Sequence, residues 1–341
     1  MKVSIKKLSE LSGFSPATVS NVLNGKKGVN KDTAELIMKI ARDSGYLSEN
    51  RMTSIKLVVL KKHGWVLSDT PFFSSLIEGV EQGSRNAGYD TIICNLSAQS
   101  DDFDERLEQV LTDPGSGILL LATELSGEDV MAFSRAVAPV VVLDASFENL
   151  PFDTVLINNT DSVCGSVTGL IEGGHREIGY LKSSVRIQNF LYREIGYRRA
   201  LERADLTADP KFTAALTPTM EGAYKDMARY LERAPKLPTA FFADNDIIAL
   251  GAMKALKEHG CRIPEDVSVI GFDDLPFCEI SSPSLSTIRV FKQEMGQMAV
   301  GRLIDKMKSP GKVVSKIQIG TEYIQRDSVR VLKTPTESMG A

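Results

Sequence analysis

Apolar positions recur at helical spacing through the first fifty residues and then change rhythm. In SIKKLSELSGFSPATVSNVLN, residues 4–24, Ile5, Leu8 and Leu11 share one helical face after a capping Ser4, and Gly13 ends the helix. Ser15 caps a second helix, with Pro16 at its first position, where no N–H is required. Val19, Val22 and Leu23 form the inner face of that helix, which leaves Thr18, Ser20 and Asn21 on or near the outer one. A third helix carries Ala34, Ile37, Ile40 and Ala41, capped at Asn30 or a neighbour and stopped at Gly45. The first pair, joined by its tight turn, is a helix-turn-helix whose second member has the size and polarity to enter a DNA major groove. Residues 1–46 are thus predicted to form an all-α three-helix headpiece, followed by a short polar linker, LSENRMTS, over 47–54.

From residue 55 the pattern becomes short continuous apolar runs separated by amphipathic stretches. The runs are IKLVVL, TIIC, GILLLA, VVVLD, IGYL, TAFFA and DVSVIGF; FFSSLIEGVEQGSRNAG and NDIIALGAMKALKEHG are typical of what lies between. Apolar strands alternating with helices predict parallel sheets covered on both faces. The alternation restarts near Thr154 to Asn159, which divides the body into two α/β lobes. Ligands in such folds bind beyond the carboxyl ends of the strands.

Charge sharpens this division. Residues 1–51 hold 9 Lys/Arg against 5 Asp/Glu, whereas the remainder holds 31 against 39. A basic front on an acidic body suits a polyanion-binding module joined to something else. The chain opens without an apolar secretory core, and no apolar run approaches membrane-spanning length. Cys94, Cys164, Cys261 and Cys278 are scattered, as are His63, His175 and His259. The cysteines read as buried small hydrophobes of a reducing compartment, and no metal site is expected.

The predicted strand ends carry polar chemistry. Pro71-Phe72-Phe73 opens a helix after the first strand, Asp144 closes VVVLD, Arg193 lies in the helix after IGYL, Asn245-Asp246 follow FFA, and Asp273-Asp274 follow VIGF. Carboxylates, an amide and a guanidinium beside an aromatic make a polar pocket with one stacking wall. Asp246 and Asp274 serve equally well as helix or turn caps. Phe72 is a core residue on this reading, and Phe73 is either core or pocket.

Taken together, these segments resemble the lactose-repressor (LacI/GalR-type) family of bacterial transcription regulators, from about Val3 to Ser328. SPATVSNVLNGKKGVN is similar to that family's recognition helix and following loop. PFFSSLIEGVE, GHREIGYL, YREIGYRRALE, FFADNDIIALGAMKALKEHG, IPEDVSVIGFDD and SPSLSTIRV follow in the family's order. The resemblance implies a type I periplasmic-binding-protein-like body, with crossings near Asn158, Thr287 and Gly320. One lobe then takes 55–158 plus 288–320, the other 159–287 plus 321–330, and 331–341 form a tail. It implies a cytoplasmic homodimeric repressor on a near-palindromic operator, controlled by a small effector, a sugar or related metabolite, between the lobes. No cofactor is implied.

Residue by residue, the resemblance assigns effector contacts to Phe73, Asp144, Arg193, Asn245 and Asp273. It assigns DNA contacts to Ser4, Ser15, Pro16, Ala17, Thr18, Ser20, Asn21 and Asn24. Ser4 and Ser15 suit phosphate at helix N-termini, Pro16 and Ala17 a thymine methyl, and Asn21 either adenine or a phosphate. One departure stands out. Only eight residues separate Tyr46 from Ile55, without the proline, alanine and leucine pattern of the family's hinge helix. Met52 is the one candidate for a minor-groove wedge, and coupling through headpiece separation is expected instead.

Two other classes compete. An enzyme on a doubly wound fold lacks support, since G-x-x-x-x-G-K-[ST], G-x-G-x-x-G after the first strand and G-x-S-x-G are all missing. A transport binding protein fits the body but not a basic headpiece.

Overall fold

The computed structural model describes residues 4–23, 29–44, 52–67, 71–233, 236–309, 311 and 313–332. The chain divides into two compact units, residues 1–53 and 54–341.

The first unit holds α1 (Ile5–Ser12), α2 (Pro16–Leu23) and α3 (Lys31–Asp43). Ser4 Oγ accepts from Lys7 N, and Gly13 takes φ +74°, the left-handed conformation that lets the chain leave α1 within one residue. Ser15 Oγ accepts from Thr18 N (3.2 Å), and Asn30 Oδ1 accepts from Asp32 N (2.9 Å). Leu8, Val19, Ile37 and Ala41 form a small core, with Ile5, Phe14, Val22, Leu23 and Ile40 packed against it. Leu11, expected on the inner face of α1, is exposed. Phe14, just beyond the Gly13 turn, packs against that core instead. Gly45 and Tyr46 lie outside the described residues, as does most of 47–54; β1 opens at Ser54, whose hydroxyl meets that of Ser116 (2.9 Å).

The second unit contains two parallel sheets. The six-stranded sheet runs β11-β5-β4-β3-β1-β2, built from β1 (Ser54–Lys61), β2 (Asp90–Ser97), β3 (Ser116–Leu121), β4 (Val140–Leu143), β5 (Asp153–Ile157) and β11 (Lys316–Ile319). The four-stranded sheet runs β7-β6-β8-β9, from β6 (Ile178–Ser183), β7 (Thr213–Leu216), β8 (Ala240–Ala243) and β9 (Ser268–Ile270). β3 and β8 are buried at every position, as expected of strands covered on both faces. β10 (Thr287–Val290) and β12 (Thr321–Ile324) form an antiparallel pair of their own.

The chain passes between the sheets after β5 at Asn158, after β10 at Phe291 and between β11 and β12 at Gly320. Thr287, near which a crossing is expected, is the first residue of β10 and pairs with Ile324, and Val290 pairs with Thr321. Three helices set the relation of strands to cleft: α4 (Pro71–Asn86) after β1, α8 (Gln188–Arg203) after β6 and α10 (Asp246–Glu258) after β8. α12 (Lys292–Lys308) lies against α4 with no room to spare; a Cβ on Gly79 would sit 2.2 Å from Gln293 O, and one on Gly296 2.6 Å from Leu76 O. α12 also sends Arg302 (3.1 Å) and Lys306 (2.6 Å) to the fully buried Asp153 at the start of β5. Among the cysteines only Cys164 and Cys278 are buried, while Cys94 and Cys261 are half-buried.

Candidate functional site

Two surfaces carry candidate chemistry. The first is the outer side of α2. Pro16, Ala17 and Asn21 are exposed there, Thr18 and Ser20 half-buried, and Ser4 and Ser15 exposed at the starts of α1 and α2. The Thr18 hydroxyl lies 2.9 Å from that of Ser15, so within the unit it supports the start of α2. Asn24 lies outside the described residues. No acidic residue occupies the first turn of α1 or α2, which leaves their N-terminal N–H groups without an anion of their own.

The second is a cleft at the carboxyl ends of both parallel sheets. Phe73, Asp144, Arg193, Asn245 and Asp273 all line it, joined by Phe72, Thr123, Asn189 and Phe190. Phe72 therefore belongs both to the core and to the cleft, its ring edge-on to Phe73 at 5.0 Å. Asp144 follows β4 at φ +62° and Asp273 follows β9 at φ +116°, conformations that carry the side chains off the strand ends at some backbone cost. Asn245 caps α10, its Oδ1 accepting from Ile248 N (3.0 Å), which leaves its NH2 as the donor it can offer.

Buried bonds connect the lobes around these groups. Asn189 Nδ2 donates to both the carbonyl and Oδ1 of Asp144 (3.0 Å each), and Thr123 Oγ1 donates to Asp144 Oδ2 (2.6 Å). Tyr192 Oη donates to Ser146 O (3.2 Å) beside them. Arg193 is almost wholly buried; it donates from Nε to Asn159 Oδ1 (2.8 Å) and from Nη1 to Asp244 O, and its Nη2 lies 3.6 Å from Asp273 Oδ1. Its guanidinium carbon stands 3.5 Å from the centroid of Phe272, so the cation is held from one face as well as along its edge. The Asp244 carboxylate is locked in turn by Tyr180, Ser183 N (2.7 Å) and Arg186.

Burial pushes the Asp144 carboxyl up to about 6, against the bonds from Thr123 and Asn189 and the charge of Arg193. Burial raises Asp273 too, opposed by Arg193 and Lys292. Asp246 is raised by burial and by the neighbouring charge of Asp273, although Thr287 Oγ1 (2.6 Å) and Leu275 N (2.8 Å) donate to it. Of these, Asp144 and Asp273 line the cleft, near the boundary between neutral and charged, where a ligand's hydroxyl donors would tip them towards the charged form. Asp274 belongs elsewhere: Arg289 and Arg326 each hold it at 2.7 Å, and those bonds outweigh burial to lower it.

Thr123, Asn189 and Phe190 were not among the expected cleft residues. Asn189 precedes Arg193 by one helical turn, a spacing that could have marked it. Thr123 carries no such signal, since its role comes from the proximity of β3 and β4. Among the described residues no three His, Cys, Asp or Glu gather in a metal-binding group, and no helix is long and apolar enough to cross a membrane.

Comparison with known proteins finds matches in both units. Residues 4–49 match the family described as bacterial regulatory proteins, lacI family, and residues 167–329 match a periplasmic binding protein-like domain. The chain is 31% identical over 332 residues to the HTH-type transcriptional repressor PurR of Haemophilus influenzae (strain PittEE), covering 96% of this chain and 98% of that protein. The transcriptional regulator CelR, in complex with cellobiose, superposes with a TM-score of 0.73 at 26% identity over 95% of this chain and 99% of that one. A LacI family regulator from Enterococcus faecium with bound ribose gives 0.69 at 26% over 82% and 100%. Identity of this degree along nearly the whole length means that the chain belongs to the lacI family of bacterial regulatory proteins and is a DNA-binding transcriptional regulator.

Proposed function

We propose that the chain is a cytoplasmic repressor, dimeric on a near-palindromic operator, whose DNA affinity is set by an uncharged, hydroxyl-rich effector bound in the cleft. The observation that carries this reading is the charge balance of the cleft. Its described lining offers two carboxylates, Asp144 and Asp273, against a single cation, Arg193, which is already engaged by Asn159, Asp244 and Asp273. Hydroxyl groups bond well to carboxylates and amides, and the Phe73 ring covers the C–H side of a sugar or nucleoside. A phosphate or carboxylate would enter beside two acids that it would drive further towards their neutral forms, while the one lining cation is engaged and Lys292 is bonded to the Asp273 carbonyl. Phe73, Asp144, Arg193, Asn245 and Asp273 are the effector contacts on this reading. Ser4 and Ser15 hold phosphate, Pro16 and Ala17 make apolar base contact, and Thr18, Ser20, Asn21 and Asn24 complete the DNA surface.

A thermal-shift panel of matched pairs tests it: ribose and ribose 5-phosphate, cellobiose and its phosphorylated form, adenosine and AMP. A neutral ligand at 100 times its dissociation constant should add about 2.7 kcal/mol to the body. Stabilisation by the phosphorylated member of a pair, equal to or above that of its neutral partner, would overturn the assignment.

A further inference from the structure

Between β1 and α4 the chain makes a turn-rich passage over residues 62–67, and one acid organises all of it. Glu124 follows Thr123 after β3, and its side chain is fully buried. Oε2 accepts from the backbone N–H of Lys62 (3.1 Å), His63 (3.1 Å) and Gly64 (2.8 Å). Oε1 accepts from Val66 (2.8 Å) and Leu67 (2.8 Å). Trp65 N donates instead to His63 Nδ1 (3.2 Å), and Gly64 at φ +73° allows the tight turn. Burial would raise this carboxyl, but the backbone bonds outweigh it and hold Glu124 below its ordinary value. Successive N–H groups converging on one anion form a nest of the kind that usually captures a ligand; here the anion is the chain's own.

That passage borders the cleft. Val66 lines it, and Leu67 is buried in the same core as Phe72. Thr123, the preceding residue, fixes the Asp144 carboxylate from the other side. Two adjacent residues thus support two parts of the cleft, one polar and one apolar. A fully desolvated carboxylate with five backbone donors is far more than an ordinary surface turn needs, and its removal leaves those donors unsatisfied.

We propose that Glu124 is a positioning residue for effector binding: its carboxylate fastens residues 62–67 at the end of β1 so that Val66 stands as a fixed apolar wall of the cleft. The proposal rests on the effector reading of the cleft. Glu124→Gln replaces one acceptor oxygen with an amide that cannot accept, so at least two of the five bonds are lost; Glu124→Asp keeps both oxygens and the charge. Glu128→Gln, at an exposed position on the next helix, is the control. Amide exchange of residues 62–67 is measured in the unliganded full chain, together with calorimetric titration of ribose and cellobiose. Glu124→Gln should speed exchange at 62–67 at least tenfold while leaving residues 220–231 unchanged. It should weaken whichever sugar binds by tenfold or more with little change in operator affinity, and Glu124→Asp should restore part of both. Unaltered exchange at 62–67 would overturn the proposal, as would a freed loop with sugar affinity within twofold of the parent. Failure of both sugars to bind the parent would count against the sugar reading of the cleft, and the exchange result alone would then uphold or overturn the fastening.

Discussion

Asp144 concentrates the electrostatics of the cleft in one residue. A carboxyl held above its unfolded value stabilises the fold while it is protonated; that contribution is complete below about pH 4 and is lost as the pH rises through about 6. Asp144→Asn is neutral at every pH and nearly the same shape. It should make the body more stable than its parent by on the order of 3 kcal/mol above pH 7, an advantage that shrinks through pH 6 and nearly vanishes at pH 4. Burial holds His175 below its ordinary value, which acts in the opposite sense, so parent and variant are compared at each pH by thermal melting. A difference independent of pH would contradict the assigned state of Asp144. Residues of this kind were partly legible in the sequence. Phe73, Asp144, Asn245 and Asp273 stand at or near strand or helix ends, which the α/β rhythm locates, whereas Arg193 lies more than a turn inside α8. Glu124 and Thr123 were not legible, because their partners are backbone groups and a carboxylate brought near only by the pairing of β1, β3 and β4.

At the scale of elements, α4 and α12 show how the body's first lobe is closed. Gly296 faces Leu76 O and Val80 N at distances no Cβ tolerates, whereas Gly301, five residues on in the same helix, is exposed with open space around it. Ala is a better helix former than Gly by about 1 kcal/mol, so propensity alone favours both substitutions. Gly301→Ala should therefore stabilise by up to about 1 kcal/mol, and Gly296→Ala should destabilise by about 1–3 kcal/mol through forced separation of the helices. Urea unfolding of the two variants checks the opposite signs; equal effects would mean the helices are not in this contact. Long amphipathic helices and continuous apolar strands were readable because burial on two faces leaves a strong pattern. β7 and β11 were not, since β7 is short and β11 alternates between exposed and half-buried positions at the sheet edge. Leu11 misled for a related reason: helical spacing gives a face, but the Gly13 turn decides which side chain closes the small core.

The whole molecule joins a basic unit to an acidic body, and each carries a separate term of the function. Operator affinity should fall steeply with salt, with log K against log [salt] sloping by about −0.9 for each phosphate neutralised. Asn21→Ala should relax preference at one base pair per half-site by about 1–3 kcal/mol with that slope unchanged, as competition binding against variant operators would report. A uniform loss across sequences would make Asn21 a phosphate contact. The order of motifs along the chain made the two-unit plan and the regulator class legible; the identity of the effector was not, because cleft chemistry is shared by neutral sugars and nucleosides. An effector can change DNA affinity only through a difference in its own affinity for the two states, typically 5- to 150-fold. The most direct test titrates the full-length protein onto DNA from upstream of its own gene, with and without each stabilising compound, alongside Asp273→Ala. At least one neutral compound should shift the operator dissociation constant fivefold or more in the parent and not at all in Asp273→Ala, whose ligand-free affinity stays within twofold; a shift that survives the substitution, or sequence-specific binding that no cleft ligand alters, would contradict control of DNA binding through this cleft.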